Sequence, residues 1–172
     1  MPSRSWTPPR GTAWGSPWKE LEGAALARRS DLSPQDLANT AWAFATAGRA
    51  TQALFDAIGK EAAGRVRDFN PQNLSNTAWA FATAGHAAPA LFDAIRREAA
   101  WRVRDLSPKD MANTAWAFAT AGYAAPALFD AIGREAAGRV HEFNPQNMAN
   151  TAWLGVCHGW PCRPGALRRD WE

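Results

Sequence analysis

The chain has 172 residues, a net charge of +3 and a hydrophobic content of 47%. This hydrophobic content is too high for a disordered chain, and no apolar run approaches the roughly 20 residues that a membrane-spanning helix requires. Only two cysteines are present, which excludes a disulfide-rich scaffold. Abundant alanine favours helices over strands, so we expect a soluble, helical, intracellular protein without a membrane partner.

The charges are unevenly distributed along the chain. Between Pro34 and Asn144 there are 11 Lys and Arg residues and 11 Asp and Glu residues, so the positive excess lies at the ends. Non-specific binding to nucleic acids scales with the number of phosphates that a protein neutralises. The neutral central part is therefore a poor non-specific phosphate binder.

The N-terminal segment, residues 1–18, is rich in Pro, Ser, Gly and Trp, and we expect it to be disordered. It carries Arg4 and Arg10 but no acidic residue. That composition is compatible with the remnant of a transit peptide, whereas a clear amphipathic pattern is missing. Residues 19–30 then align with the second helix of a degenerate half-repeat, which would cap the array that follows.

An internal repeat dominates the rest of the chain. The string Asn-Thr-Ala-Trp begins at Asn39, Asn76, Asn113 and Asn150, at a constant interval of 37 residues. One pair of helices cannot bury its own apolar face, so such units stack. We therefore predict an all-α fold, a right-handed-type α-solenoid of antiparallel helix pairs. Its predicted parts are a half-repeat over 19–30, full repeats over 34–70, 71–107 and 108–144, and a partial repeat over 145–159; the array spans 19–153, and an irregular tail covers 160–172.

Each unit begins with a first helix, called helix A below. In the first unit it opens at Ser33-Pro34, because serine caps free backbone N–H groups and proline suits the first helical position. Gly48 can adopt the left-handed conformation that ends a helix. The corresponding starts and stops in later units are Asn70-Pro71 with Gly85, Ser107-Pro108 with Gly122, and Asn144-Pro145.

The second helix, called helix B, is predicted over Gln52–Val66 in the first unit. It contains two acid-before-base pairs four residues apart, Asp56→Lys60 and Glu61→Arg65, and both recur in the following units. Such pairs stabilise a helix by a few tenths of a kcal/mol. They predict a solvated, internally paired face rather than a phosphate-binding one.

Comparison of the units indicates which positions of helix B are exposed. Trp101 aligns with Gly64 and Gly138, and a position that accepts both glycine and tryptophan is not tightly packed. Trp101 is therefore predicted to be exposed or to lie at the edge of a groove. The same reasoning predicts loose packing at the two glycines that align with Arg96, which are Gly59 and Gly133.

Helix A carries a tryptophan in each unit: Trp42, Trp79 and Trp116. These rings could stack on nucleic-acid bases. Their spacing beside Phe44 and its equivalents favours a place in the core instead.

The polar face of helix A is the candidate binding site. Asn amides both donate to and accept from a base edge, and a repeat protein can read one base per unit in this way. Two structural roles compete with binding: residue 36 and its equivalents could only cap their helices, and the asparagines could form a ladder of hydrogen bonds between repeats. The candidate residues are Asp36, Asn39, Thr40, Asn73, Asn76, Thr77, Asp110, Asn113, Thr114, Asn147 and Asn150.

We find no signature of catalysis. The sequence has no nucleophile motif, no phosphate-binding glycine loop and no pair of catalytic carboxylates. Cys157, His158 and Cys162 are weak evidence for zinc, because no second Cys or His pair completes the set. We expect a protein that is not an enzyme and needs no cofactor or metal.

The units Pro-Gln-Asp-Leu-Ala-Asn-Thr-Ala-Trp-Ala-Phe-Ala-Thr-Ala-Gly and Phe-Asn-Pro-Gln-Asn-Leu-Ser-Asn-Thr-Ala-Trp resemble octotricopeptide repeats and heptatricopeptide repeats, whose 37-residue period fits better. The resemblance covers about residues 20–153. It implies a solenoid of helix pairs that binds single-stranded RNA in a mitochondrion or chloroplast, with the residues equivalent to Asp36, Asn39 and Thr40 facing the RNA. Many such proteins also carry a C-terminal RAP domain, which this sequence lacks.

Two functions remain open at this stage. The first is an RNA-binding repeat protein that acts in organellar post-transcriptional regulation. The alternative is a protein–protein interaction scaffold that uses the same groove for a peptide, or a non-functional fragment of a longer repeat protein. The last of these follows from the break in the repeat pattern after Trp153, where Leu-Gly-Val replaces Ala-Phe-Ala.

Overall fold

The computed structural model describes residues 16–157, and within that range every regular element is a helix. None of these helices has the length and apolarity needed to cross a membrane. Short 3₁₀ turns follow α3, α5 and α7. The helices are α1 (Ser16–Ala27), α2 (Pro34–Thr46), α3 (Gln52–Gly64), α4 (Pro71–Ala84), α5 (Pro89–Trp101), α6 (Pro108–Ala121), α7 (Pro126–Gly138) and α8 (Pro145–Cys157).

The helices form two rows in an α-solenoid-like arrangement. Helices α2, α4, α6 and α8 pack side by side as the helix A row, and α1, α3, α5 and α7 form the helix B row. Neighbours in the helix A row approach each other more closely than neighbours in the helix B row. Alanines at the contacts allow this approach, since Ala41, Ala78, Ala80, Ala115 and Ala117 are all fully buried.

The predicted helix starts and stops of helix A are confirmed. The Ser33 hydroxyl accepts a hydrogen bond from the Asp36 amide, and Oδ2 of Asp36 accepts one from the Ser33 amide at 3.1 Å. Ser107 and Asp110 form the same capping box at α6. Gly48, Gly85 and Gly122 have φ values of +64°, +64° and +72°, a conformation that a residue with a Cβ rarely adopts.

Two predicted boundaries need correction. Helix B ends at Gly64 rather than Val66, because the Arg65 amide bonds to the Ala62 carbonyl three residues back and the chain tightens into a 3₁₀ turn. Helix α1 begins at Ser16, so residues 16–18 are helical rather than disordered. The ring of Trp18 packs edge-on against Phe44 at a centroid distance of 5.1 Å.

Helix α8 lies within the partial repeat that the sequence predicts over 145–159. Helix α8 runs to Cys157, past Trp153, where the repeat pattern breaks in the sequence. The predicted disordered segment before residue 16 and the irregular tail over 160–172 lie outside the described residues, as do His158 and Cys162.

The core lies between the two rows and contains one phenylalanine from each of the helices α2 to α7. Phe55 of α3 meets Phe81 of α4 at a centroid distance of 4.9 Å, and Phe92 of α5 meets Phe118 of α6 at 5.0 Å. These four rings are at most 1% exposed. The Phe rings therefore join each helix B to the helix A of the next unit.

An arginine at the end of each helix B ties the unit together. Nη1 of Arg65 donates to the Leu32 carbonyl at 2.9 Å and lies 3.2 Å from Oε1 of Glu61. The predicted Glu–Arg pairs are thus present, but the guanidinium also satisfies a backbone carbonyl ahead of helix A. The equivalent bonds join Arg102 to the Phe69 carbonyl at 2.8 Å and Arg139 to the Leu106 carbonyl at 3.0 Å.

The predicted Asp56–Lys60 pair is not formed within the described part of the chain. Oδ1 of Asp56 lies 2.9 Å from Nε2 of His86 in the next unit and also accepts from Gln52. These hydrogen bonds, with His86 contributing most, hold the pKa of Asp56 below its ordinary value. Asp56 thus pairs with His86 of the next unit instead of Lys60 of its own helix.

The two aligned glycines of helix B differ in packing, which corrects one prediction. Gly59 is buried, and a Cβ there would lie 3.2 Å from Cε1 of Phe81, whereas a Cβ at Gly133 would meet nothing within 4 Å. We expect Gly133→Ala to stabilise the fold by about 0.5–1 kcal/mol through helix propensity. Gly59→Ala should lose that gain to overpacking against Phe81 and become destabilising.

Urea denaturation followed by circular dichroism measures both glycine variants on the same scale. The two substitutions are chemically identical and lie at aligned positions, so each is the control for the other. Equal changes in the free energy of unfolding would contradict the packing difference between the first and third units.

Candidate nucleic-acid interface

The asparagines of helix A face outward and carry free amides. Asn39 is exposed, and Asn76, Asn113 and Asn150 are partly exposed. None of the four side chains has a hydrogen-bond partner among residues 16–157, so the ladder of hydrogen bonds between repeats is not formed there. A partly exposed amide without a protein partner is available to a ligand.

Asp36, Asn73 and Asp110 each belong to a capping box or are buried. Hydrogen bonds from the side chain and the backbone amide of Ser33 lower the pKa of Asp36. Asn73 and Asp110 are each only 7% exposed. Oδ1 of Asp110 accepts a hydrogen bond of 2.8 Å from the Ser75 hydroxyl, which links α4 to α6.

Asn147 is partly exposed, and its backbone N–H donates to Oδ1 of Asn144 at 2.7 Å. Its backbone therefore takes part in the helix cap, whereas its side chain has no hydrogen-bond partner among residues 16–157.

The threonines that follow the asparagines divide into two groups. Thr77 and Thr114 have no exposed surface. The hydroxyl of Thr77 donates to the Asn73 carbonyl at 2.7 Å, whereas that of Thr114 is buried without a partner in the described structure. Thr40, in the first unit, is partly exposed. Thr77 and Thr114 are therefore out of reach of a ligand on this surface.

The tryptophans of helix A are only partly buried, whereas the sequence interpretation favoured a place in the core, and Trp116 also packs against the core. Trp42 is 46% exposed, and Trp79 and Trp116 are partly exposed. The ring centroids of Trp42 and Trp79 are 6.5 Å apart, and those of Trp79 and Trp116 are 6.1 Å apart with an interplanar angle of 29°. The close approach of the helix A row brings these indoles into one continuous row.

We call the outward side of this row the helix A surface, and it has a simple helical spacing. In α2 it consists of Gln35, Asn39, Trp42 and Thr46, all exposed, at steps of four, three and four residues. Residues 36, 39 and 40, which the sequence favoured, leave out the glutamine and the second threonine, and the tryptophan was considered for stacking but was expected in the core. The equivalent residues are Gln72, Asn76, Trp79 and Thr83 in α4, and Lys109, Asn113, Trp116 and Thr120 in α6.

The helix A surface is nearly uncharged. Lys109 is the one cation among these residues of α2, α4 and α6. A ligand on this surface therefore meets amides, hydroxyls and indoles rather than a basic patch. Such a surface suits the bases of a nucleic acid better than its phosphates.

No group of three metal-ligating side chains occurs within residues 16–157. Comparison of the sequence with protein-family models and with curated proteins gave no match. The assignment of a function therefore depends on the helix A surface and on the resemblance of the repeat.

Proposed function

We propose that the chain binds single-stranded RNA along the helix A surface. Asn39, Asn76 and Asn113 would hydrogen-bond to base edges, one per unit, and Asn150 would extend the series. Trp42, Trp79 and Trp116 would provide the aromatic row against which the bases pack. Free amides beside a half-exposed tryptophan row are the observation that carries this proposal.

The proposal differs from the sequence prediction in its residues. Asp36 and Asp110 complete capping boxes, and Asn73 is buried, so these three residues are left out of the site. Asn147, which is partly exposed, stays a candidate. Burial leaves Thr77 and Thr114 out of the site. Thr40, which is partly exposed, stays a candidate at the edge of the surface.

The resemblance of the repeat supports the finer parts of the proposal. It favours a right-handed α-solenoid built from 37-residue units, and a role in the post-transcriptional regulation of transcripts in a mitochondrion or chloroplast. The helix A row, shorter because of its close packing, would then be the concave side of the stack.

The expected affinity is low. Stacking contributes roughly 1–3 kcal/mol per base in favourable cases, whereas association costs an estimated 4–15 kcal/mol. Three units therefore give weak binding, with an equilibrium dissociation constant of about 0.1–1 mM. Because the surface offers one cation, Lys109, the salt dependence should be shallow, with a logarithmic slope of about −0.7.

The test is a titration of short labelled oligouridylate and oligoadenylate at two salt concentrations. The combined variant Asn39→Ala, Asn76→Ala and Asn113→Ala should lower the affinity by at least about tenfold, because each amide contributes a hydrogen bond. Trp79→Ala alone should lower it by about five- to tenfold through lost stacking. Circular dichroism checks that the variants remain folded.

The matched control is Arg134→Ala, which removes an exposed basic residue from the helix B row. If this variant weakens binding as much as the triple asparagine variant, the binding is non-specific attraction to phosphate. Unchanged binding by the folded triple variant would remove the helix A surface as the site.

A protein-interaction scaffold is the second candidate function. The observation in its favour is the near-neutral helix A surface with its continuous indole row, since aromatic residues are enriched at protein interfaces. Capture of a partner by the immobilised chain should then persist after nuclease treatment and be lost on Trp79→Ala. Loss of the captured partner after nuclease treatment would favour RNA.

A further inference from the structure

Trp101, at the end of α5, is the most exposed large hydrophobic residue in the described part of the chain. It is 83% exposed, as the comparison of units predicted. The aligned residues of the first and third units, Gly64 and Gly138, offer no side chain at this point. The second unit thus places an indole where its neighbours leave open space, on the row opposite the helix A surface.

The indole lines a groove of about 710 Å³ between the 3₁₀ turn that follows α3 and the last turns of α5. Its other walls are Arg67, Arg97, Glu98 and Arg102. A volume of this size lies within the range of small-molecule sites, roughly 300–1,000 Å³. The groove is open enough to admit a ligand that continues beyond it.

Two of the three arginines in the groove form no hydrogen bond or ion pair within the described residues. Arg102 donates to the Phe69 carbonyl and pairs with Glu98 at 3.4 Å and with Asp105 at 3.6 Å. Arg67 and Arg97 are exposed and have no hydrogen bond or ion pair with any of residues 16–157. Glu98 is compensated by Arg102, so two positive charges remain for a ligand.

The chemistry of these three side chains defines one ligand class. A guanidinium binds phosphate oxygens through paired hydrogen bonds, and two guanidiniums match the charge of a phosphate monoester. A free indole face stacks on a nucleobase. Both recognition elements occur together in a nucleotide.

We propose that the groove formed by Arg67, Arg97 and Trp101 is a nucleotide-binding site, with the phosphate on the two arginines and the base on the indole. The site takes either a free mononucleotide, whose phosphate is a monoester, or a nucleotide within an RNA strand, whose phosphate is a diester with one negative charge. It does not depend on the helix A surface, because no residue is shared. A negative binding result at one site therefore does not contradict the proposal for the other.

The experiment follows the indole N–H signal of Trp101 by NMR, assigned with Trp101→Phe. Titration with adenosine 5′-monophosphate should move this signal with a dissociation constant of about 1 mM. Adenosine without phosphate should bind at least about tenfold more weakly, because the contacts to the two arginines are lost. Equal shifts by adenosine and its monophosphate would overturn the proposal.

The variants test each part of the site. Trp101→Gly, which introduces the residue of the neighbouring units, and Arg97→Ala should each weaken binding about five- to tenfold. Because Trp101→Gly has no indole signal, its binding is followed by the backbone N–H signal of Arg102. Arg134→Ala is the matched control, because Arg134 aligns with Arg97 but stands beside Gly138 instead of a tryptophan. Equal losses in Arg97→Ala and Arg134→Ala would also overturn the proposal.

A second arm separates the two sources of nucleotide. Short oligoadenylate that competes with the mononucleotide at Trp101 identifies a strand as a ligand, with a salt slope of about −0.7 from the one phosphate that the two arginines neutralise. Binding of the mononucleotide without such competition identifies a free nucleotide. An aspartate-rich peptide that moves the Trp101 signal while the mononucleotide does not would overturn the site in favour of an acidic protein partner.

Discussion

Replacement of Phe81 by alanine should destabilise the fold by about 3–5 kcal/mol, the usual loss for a fully buried phenylalanine. Phe81 has no exposed surface and packs against Phe55 at 4.9 Å and edge-on to His86 at 5.8 Å. It joins the helix B of the first unit to the helix A of the second. Because an array of stacked units is held together by interfaces between neighbours, we expect the loss to fall on one interface.

Urea denaturation followed by circular dichroism measures this loss. A broadened transition with a lower m-value is expected if the weakened interface lets the first unit unfold before the rest. Trp42→Ala is the matched control, since it removes a larger ring that is 46% exposed. It should lower the free energy of unfolding by less than about 1 kcal/mol. A loss equal to that of Phe81→Ala would indicate that the tryptophan row is part of the core.

Replacement of Arg102 by methionine should destabilise the fold by about 1.5–3 kcal/mol, the range for a hydrogen bond to a charged group. Methionine retains an apolar side chain of similar length but leaves the Phe69 carbonyl without its donor. It also leaves Glu98, whose side chain is only 13% exposed, without its 3.4 Å partner. Arg102→Lys should recover only part of this stability, because one ammonium cannot reproduce the fork of donors.

The salt dependence of the stability distinguishes these bonds of Arg102 from an ordinary surface ion pair. Ion pairs on a solvated face are screened at about 1 M salt, whereas a partly buried bond to a carbonyl is not. The cost of Arg102→Met should therefore persist at high salt. Lys60→Met, at an exposed position of helix B, is the control and should change stability by less than about 0.5 kcal/mol. If the loss of stability in Arg102→Met disappears at high salt, Arg102 belongs to a solvated face with ordinary surface ion pairs.

Local sequence signals determined the ends of helix A and the alternation of helices. Ser33-Pro34 and Gly48 act within one turn of the backbone, so their effect is readable without knowledge of the fold. The exposure of Trp101 was readable for a different reason. Only a position with free space accepts both tryptophan and glycine.

Only the tertiary structure decided which residues of helix A face outward. Asp110 looks like a surface cap in sequence, yet a neighbouring helix covers it and supplies the Ser75 hydroxyl. Trp42 looks like core, yet the narrow spacing of the alanine-rich helix A row leaves no room for an indole between neighbouring helices, so the rings lie on the outside.

Gly59 and Gly133 make the same point within helix B, because they occupy the same position in the repeat and differ only in the ring that the next unit presents. Hydrogen bonds within a turn are encoded by adjacent residues. Burial depends on the distance between helices that are 37 residues apart in the chain, and no single unit contains that distance.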